Sequence, residues 1–329
     1  MSDSPVALLS TNHIGFRQRL VEQSRAFGAL AALLLMIVIL AFVAPNFWSL
    51  RNMLNIVDQG TVLGIIALGM TAVIITGGID LSVGSVLALS TMTLGWLSHG
   101  GGMPMVVAIA VSIAVGTACG VINGLAVTFG RLPPFIATLA MMSIARGLAN
   151  LITNGKQIIG YPDWFYNLSS DRHFGFLSVT ALGLVVVYVI GWLGLQYRRS
   201  GRAVYAIGGG VEVARLAGIQ VKRVIIGVYA ISGLLCALGG IVLASRLDSS
   251  QPTAGDGYEL DAIAAVVIGG ASLSGGKGRL SGTIVGVFIM GVLKNGLNLL
   301  GVSPFVQKVV IGLVIAGAVM FDVMRKKED

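Results

Sequence analysis

Residues 105–129 read MVVAIAVSIAVGTACGVINGLAVTF, 25 consecutive positions without a charged side chain. A helix that crosses the hydrocarbon core of a bilayer needs about 20 apolar residues, so this stretch is long enough to span one. Nine other apolar stretches flank it, at 27–44, 59–77, 82–98, 134–152, 176–195, 224–246, 261–271, 282–299 and 305–321. Short polar or Gly/Pro-rich breaks separate them, and the stretch at 261–271 is short unless Tyr258 to Leu260 extend it. The pattern predicts an all-α polytopic membrane protein of about ten transmembrane helices. One membrane domain at 27–321 takes up nearly the whole chain, with a cytoplasmic segment at 1–26, a polar inner loop at 196–222 and a cytoplasmic tail at 322–329. The first stretch is long, lacks a small-x-small cleavage site and precedes nine more, so it is expected to stay on the protein.

Composition agrees. Of 329 residues 55% are hydrophobic and only 11% charged, with a mean hydropathy of +0.89, whereas a soluble domain carries about 25% charged residues. The 46 glycines and 14 acidic residues suit closely packed membrane helices, where small residues let backbones approach and charges are costly. The net charge of +8 is scattered between apolar stretches rather than grouped on a soluble domain, so no nucleic-acid partner is expected. Cys119 and Cys236 sit inside apolar stretches with no second ligand at metal spacing, and His13, His99 and His173 lie far apart. No metal site is expected from them.

Lys and Arg accumulate on the cytoplasmic side of membrane proteins. With both termini inside, Arg17, Arg19, Arg25, Arg131, Arg198, Arg199, Arg202, Arg215, Lys222, Arg223, Lys277, Arg279, Arg325, Lys326 and Lys327 fall on inner segments, fifteen of the 22. An even number of spans preserves this bias. The outer breaks are then 153–175, with Trp164, Phe165 and Tyr166 as an interfacial anchor, and 246–260, RLDSSQPTAGDGYEL. NGLAVTFGRLPPF at 123–135 and NGLNLLGVSPF at 295–305 echo one another on oppositely directed helices, as an inverted repeat would. GGIDLSVG at 77–84 and GGASLSGG at 269–276 echo on the same side and do not fit that symmetry.

The chain carries no phosphate-binding loop of its own. ASLSGGKG at 271–278 has Ala271 where that motif needs Gly and Gly278 where it needs Ser or Thr. Its LSGG core at 273–276 reads as a tight inner turn. Asp80, in ITGGIDLSVGS, is either a gate residue on a polar pathway or, with Ser82, a cap for the third span. Arg146 could snorkel or pair with an outer acid. Asn123, Thr138, Asn150 and Asn295 suit either bonding between helices or a hydrophilic route. Asp80 reads as the single deep carboxylate, which disfavours an ion-coupled carrier; a membrane-embedded enzyme would need clustered His, Cys or acidic residues. The inner loop holds RAVYAIGGGVEVARLAG at 202–218, a short helix-forming run closed by Gly218 at a C′ position. It is a docking element for a partner or a solvated loop helix.

AIGGGVEVARLAGIQV resembles the cytoplasmic loop of the bacterial ABC sugar permeases of the ribose, arabinose and xylose type. GMTAVIITGGIDLSVGS at 69–85, PFIATLAMMSIARG at 134–147 and QPTAGDGYELDAIAAVVIGGASLSGGKGRLSGT at 251–283 resemble the same family. Gly210 departs from it, standing where Asn is common. The resemblance implies the permease subunit of a monosaccharide importer in a bacterial inner membrane, closest to the ribose type. It implies a second permease copy, an ABC ATPase subunit that binds ATP and Mg, and a periplasmic sugar-binding protein, with no cofactor in this chain and no enzymatic activity of its own. By that resemblance Arg202, Gly208, Gly209, Glu212, Ala214, Arg215 and Gly218 form the loop coupled to the ATPase. Asp80, Ser82, Asn123, Thr138 and Asn295 are expected along the pathway or its gate, and Asp248, Gln251, Asp256, Tyr258 and Glu259 where the binding protein docks.

Overall fold

The computed structural model describes residues 28–172 and 175–326. His13, Arg17, Arg19, Arg25, His173 and Lys327, and with them the segment 1–26, lie outside the described residues. The chain is helical throughout: α1 Gly28–Val43, α2 Leu50–Ile75, α3 Val83–Gly95, α4 Met105–Thr128, α5 Pro134–Leu151, α6 Asp163–Ser170, α7 Val179–Tyr197, α8 Arg199–Gly209, α9 Val211–Leu216, α10 Val221–Leu247, α11 Tyr258–Ile268, α12 Leu280–Leu299 and α13 Pro304–Lys326. Six of these, α2, α4, α5, α7, α10 and α12, are long and apolar enough to cross a bilayer. Each of the ten expected stretches falls on one helix.

The boundaries differ where side chains could satisfy polar groups internally. Helix α2 starts at Leu50, nine residues before the expected 59, because Ser49 caps it by accepting the Asn52 N–H at 3.3 Å. Asn52, Asn55 and Asp58 of its first turns find partners inside the protein, while Arg51 is exposed. Helix α3 is short and runs on into a π-helical turn, Trp96–Gly100. The polar inner loop is largely helical, as α8 and α9. Segments 153–175 and 246–260 are tied by a two-residue antiparallel ladder, β1 Ile158–Ile159 against β2 Ser249–Ser250, a departure from an all-α fold.

Helix α7 packs one side on the bundle and exposes the other, including Val185, Val186 and Ile190, whereas α2 is the hub, almost wholly buried. With α3, α10, α11 and α12 it builds the interior. Helices α1, α4, α5, α7 and α13 turn Leu, Val, Ile and Phe outward, the surface lipid tails would cover. In lipid the hydrophobic effect does not drive helices together, so close packing must hold them. The Gly116-x-x-x-Gly120 ridge of α4 meets Tyr229 and Gly233 of α10 with backbones in contact: a Cβ on Gly120 would overlap the Tyr229 carbonyl oxygen, and one on Gly233 that of Gly116. Gly282 and Gly286 of α12 press on Gly269 and on Ala265 of α11 in the same way.

Candidate functional site

Thr76–Ser82, between α2 and α3, folds back into the bundle instead of leaving it. Asp80 is 2% exposed. Its Oδ1 accepts the Ser82 N–H at 3.0 Å and the Ser82 hydroxyl at 2.6 Å, and its Oδ2 accepts the Ser232 hydroxyl of α10 at 2.9 Å. Asn123 of α4 donates to Ser82 Oγ at 2.9 Å. Thr138 of α5 accepts the Leu81 N–H at 3.1 Å and lies 3.2 Å from the Ile79 carbonyl, to which its hydroxyl donates. Non-helical backbone at membrane depth survives only where protein holds it, and here side chains of α4, α5 and α10 do so. Asp80 thus fixes Ser82, the residue before α3, without accepting from a helical N–H, and the Ser82 side chain makes no cap bond but serves the carboxylate. The Tyr229 hydroxyl, beside Gly78, has no hydrogen-bond partner among the described residues.

Asn295 is elsewhere. It exchanges side-chain hydrogen bonds with Asn52, at 3.0 and 2.7 Å, and locks α12 to the first turn of α2.

The break 246–260 packs in part against α3, while Thr253, Asp256 and Leu260 are exposed. Ser250 Oγ donates to the Thr91 carbonyl at 2.7 Å, the chain then descends along α3, and a Cβ on Gly84 would overlap the Gly255 carbonyl. Arg146 donates to the carbonyls of Pro252 and of Ala254, at 3.0 Å for the latter, so it holds backbone rather than an acid. Asp248 adopts a left-handed conformation and accepts the Tyr161 N–H at 2.8 Å. Gln251, Tyr258 and Glu259 are only partly exposed. Asp256 is open, 3.6 Å from Lys308 of α13. Burial pushes the Tyr161 hydroxyl, bonded to Ser250 Oγ at 2.6 Å, up to about 12. Of the aromatic trio, Phe165 is fully buried while Trp164 and Tyr166 face outward.

Asp80 is not the single deep carboxylate. Asp261 of α11, 3% exposed, forms an ion pair with Lys294 of α12, and Asp58 of α2 is held by Arg172 and by Ser178. No grouping of three or more His, Cys, Asp or Glu at metal-binding spacing occurs among the described residues.

The inner loop folds as two helices broken at Gly210. Its φ of 167° is extended backbone open to any residue, so Gly in place of Asn demands nothing there. Gly218 sits at C′ with φ +81° and closes α9, with the Ile219 N–H on the Ala214 carbonyl at 3.0 Å. Ala214 faces inward; Glu212 and Arg215 pair on the surface, Arg202 and Gly209 are exposed, and Val213 and Leu216 stand 72% and 85% exposed. Gly208 abuts the end of α2 so closely that a Cβ would overlap the Ile75 carbonyl. That carbonyl accepts the Gly276 N–H at 2.8 Å, and Tyr205 donates to the Gly278 carbonyl at 2.8 Å. The LSGG stretch is thus a turn, with Gly275 and Gly276 at positive φ, clamped between α8 and α2.

Residues 52–319 match a family described as branched-chain amino acid transport system / permease component. The ribose import permease RbsC of Bacillus subtilis is 48% identical over 91% of this chain and 92% of its own length. RbsC of Escherichia coli K12 is 46% identical over 89% and 92%, and the L-arabinose permease AraH of the same strain 37% over 92% and 91%. No solved structure matches.

Proposed function

The chain belongs to the family of branched-chain amino acid transport system permease components, and from that premise we propose that it is the membrane subunit of an ATP-driven importer for a monosaccharide, ribose first. The observation that carries the cargo is that relatives 46–48% identical along nine-tenths of the chain are ribose import permeases, although the family takes its description from amino acids. The protein is multi-pass, in the bacterial inner membrane, with both termini inside and ten spans, of which α3 and α11 are half-helices. ATP and Mg belong to a separate ATPase; this chain has no catalytic residues.

Helix α9 docks in that ATPase. Two apolar side chains exposed on a six-residue helix on the polar inner side of the chain support this role. A push on α9 reaches α8, and through Gly208 the end of α2 and the 273–278 turn, both rigidly packed. The next element is the irregular Thr76–Ser82 segment. Asp80 is held by Ser82 of the segment and Ser232 of α10, so a movement of α10 against α3 breaks the Ser232 bond, which suits a gate between inward and outward access. A second copy covers the α5–α13 face, where Asp256 and Lys308 lie exposed beside a segment packed as deep as Gly84 and are ill suited to lipid. The sugar-binding protein delivers to the outer face around α6 and Asp248.

Co-expression with the neighbouring genes and purification through this chain tests the reading. ATPase activity is expected to copurify with the wild type and to be lost or uncoupled from transport in a Val213→Glu, Leu216→Glu double variant. A chain that purifies alone, or a variant indistinguishable from wild type, would refute the docking of α9.

A further inference from the structure

Between α2, α10, α11 and α12 lies a recess of about 240 Å³ that the coupling route does not use. Its polar wall is made by Gln59, Arg246, Tyr258, Asp261 and Lys294, and the remainder by leucines and Gly291. Arg246 is in the last turn of α10 and Tyr258 opens α11. With both termini inside, these ends lie toward the outer face, so the recess opens on the side from which cargo arrives.

Charged groups inside a membrane protein are costly, and a pair of them is rarely kept for stability alone. Lys294 and Asp261 neutralise each other, and Arg246, which donates to the neutral Asn55 Oδ1 at 3.3 Å, leaves one positive charge on the wall beside its hydrogen-bonding groups. What it offers is donors and acceptors side by side: the Lys294 ammonium, the Asp261 carboxylate and the Gln59 amide oxygen, the amide nitrogen already donating to Asn55 Oδ1 at 3.1 Å. The Tyr258 ring borders them, with Lys294 Nζ 5.8 Å from its centroid. Each hydroxyl of a sugar both donates and accepts, and a sugar ring presents C–H groups to an aromatic face. The recess is also small beside the roughly 300–1,000 Å³ pockets of drug-sized ligands. We propose that this recess is a monosaccharide-binding subsite within a single copy of the permease, holding the sugar after release from its binding protein. The proposal rests on the importer reading above.

Gly291 supplies the test, because a Cβ there meets no atom within 4 Å and points into open space. Ala is therefore accommodated there, and Leu extends from the same wall into the recess. The wild-type importer in proteoliposomes first identifies which of ribose, arabinose and fructose it carries best. Saturation-transfer NMR then measures contact between that sugar and the purified permease for wild type, Gly291→Ala, Gly291→Leu and Gln59→Ala. Transfer is expected in wild type and Gly291→Ala, to fall at least fivefold in Gly291→Leu and at least twofold in Gln59→Ala. Sugar carried per ATP hydrolysed should fall in the same order. Undiminished transfer in Gly291→Leu, or no transfer to a wild-type permease whose importer does carry the sugar, overturns the subsite. An importer that carries leucine and none of the sugars overturns the functional reading itself.

Discussion

At the scale of single residues the Asp80 network makes opposite predictions for two neighbours. Asp80→Ala leaves the hydroxyls of Ser82 and Ser232 buried without their acceptor, each costing about 1–3 kcal/mol. Tyr229→Phe deletes a buried hydroxyl that bonds to nothing described, so stability should hold within about 0.5 kcal/mol or rise. Thermal unfolding in detergent reads both; equal losses would mean that the Tyr229 hydroxyl has a partner after all. Asp80, Ser82, Asn123 and Thr138 were legible because a polar residue inside an apolar run must meet another polar group. That rule does not say which. Asn295 answers to Asn52, in a stretch whose sequence reads as a loop, and Asp261 answers to Lys294 across 33 residues; only the packing of α11 on α12 makes that pair visible.

Elements were legible where length and hydropathy decide them and obscure where side chains do. The irregular segment before α3, the descent of Ser249–Gly257 along it and the early start of α2 all depend on hydrogen bonds from other helices, which a single segment does not carry. The glycine ridges were a missed signal: Gly116-x-x-x-Gly120 and Gly282-x-x-x-Gly286 stand in the sequence at the spacing that lets helix backbones touch. Gly120→Leu must force α4 from α10 and should cost at least about 1–3 kcal/mol, with little folded protein recovered. Gly227→Ala, on α10 with open space around it, should instead stabilise by about 0.5–1 kcal/mol. Unfolding temperatures that move together in the two variants would deny the ridge its role.

For the molecule as a whole, α2 joins both ends of the account. Its first turns bind Asn295 through Asn52 and Arg172 through Asp58 and bring Gln59 to the recess, and its last residue receives the 273–278 turn and α8. Under the importer proposed above, movement of α9 is transmitted along α2 from its last residue to the end that bears Gln59. A carrier driven by ions would need no partner, and the paired state of Asp58 and Asp261 leaves neither as a free ion site. The direct measurement is uptake of ribose into proteoliposomes holding the permease, its ATPase and the sugar-binding protein. Uptake should require ATP inside the ATPase-facing compartment and the binding protein on the opposite side, and should persist when proton and sodium gradients are collapsed. Uptake by the permease alone, driven by an ion gradient and indifferent to ATP, would contradict the account.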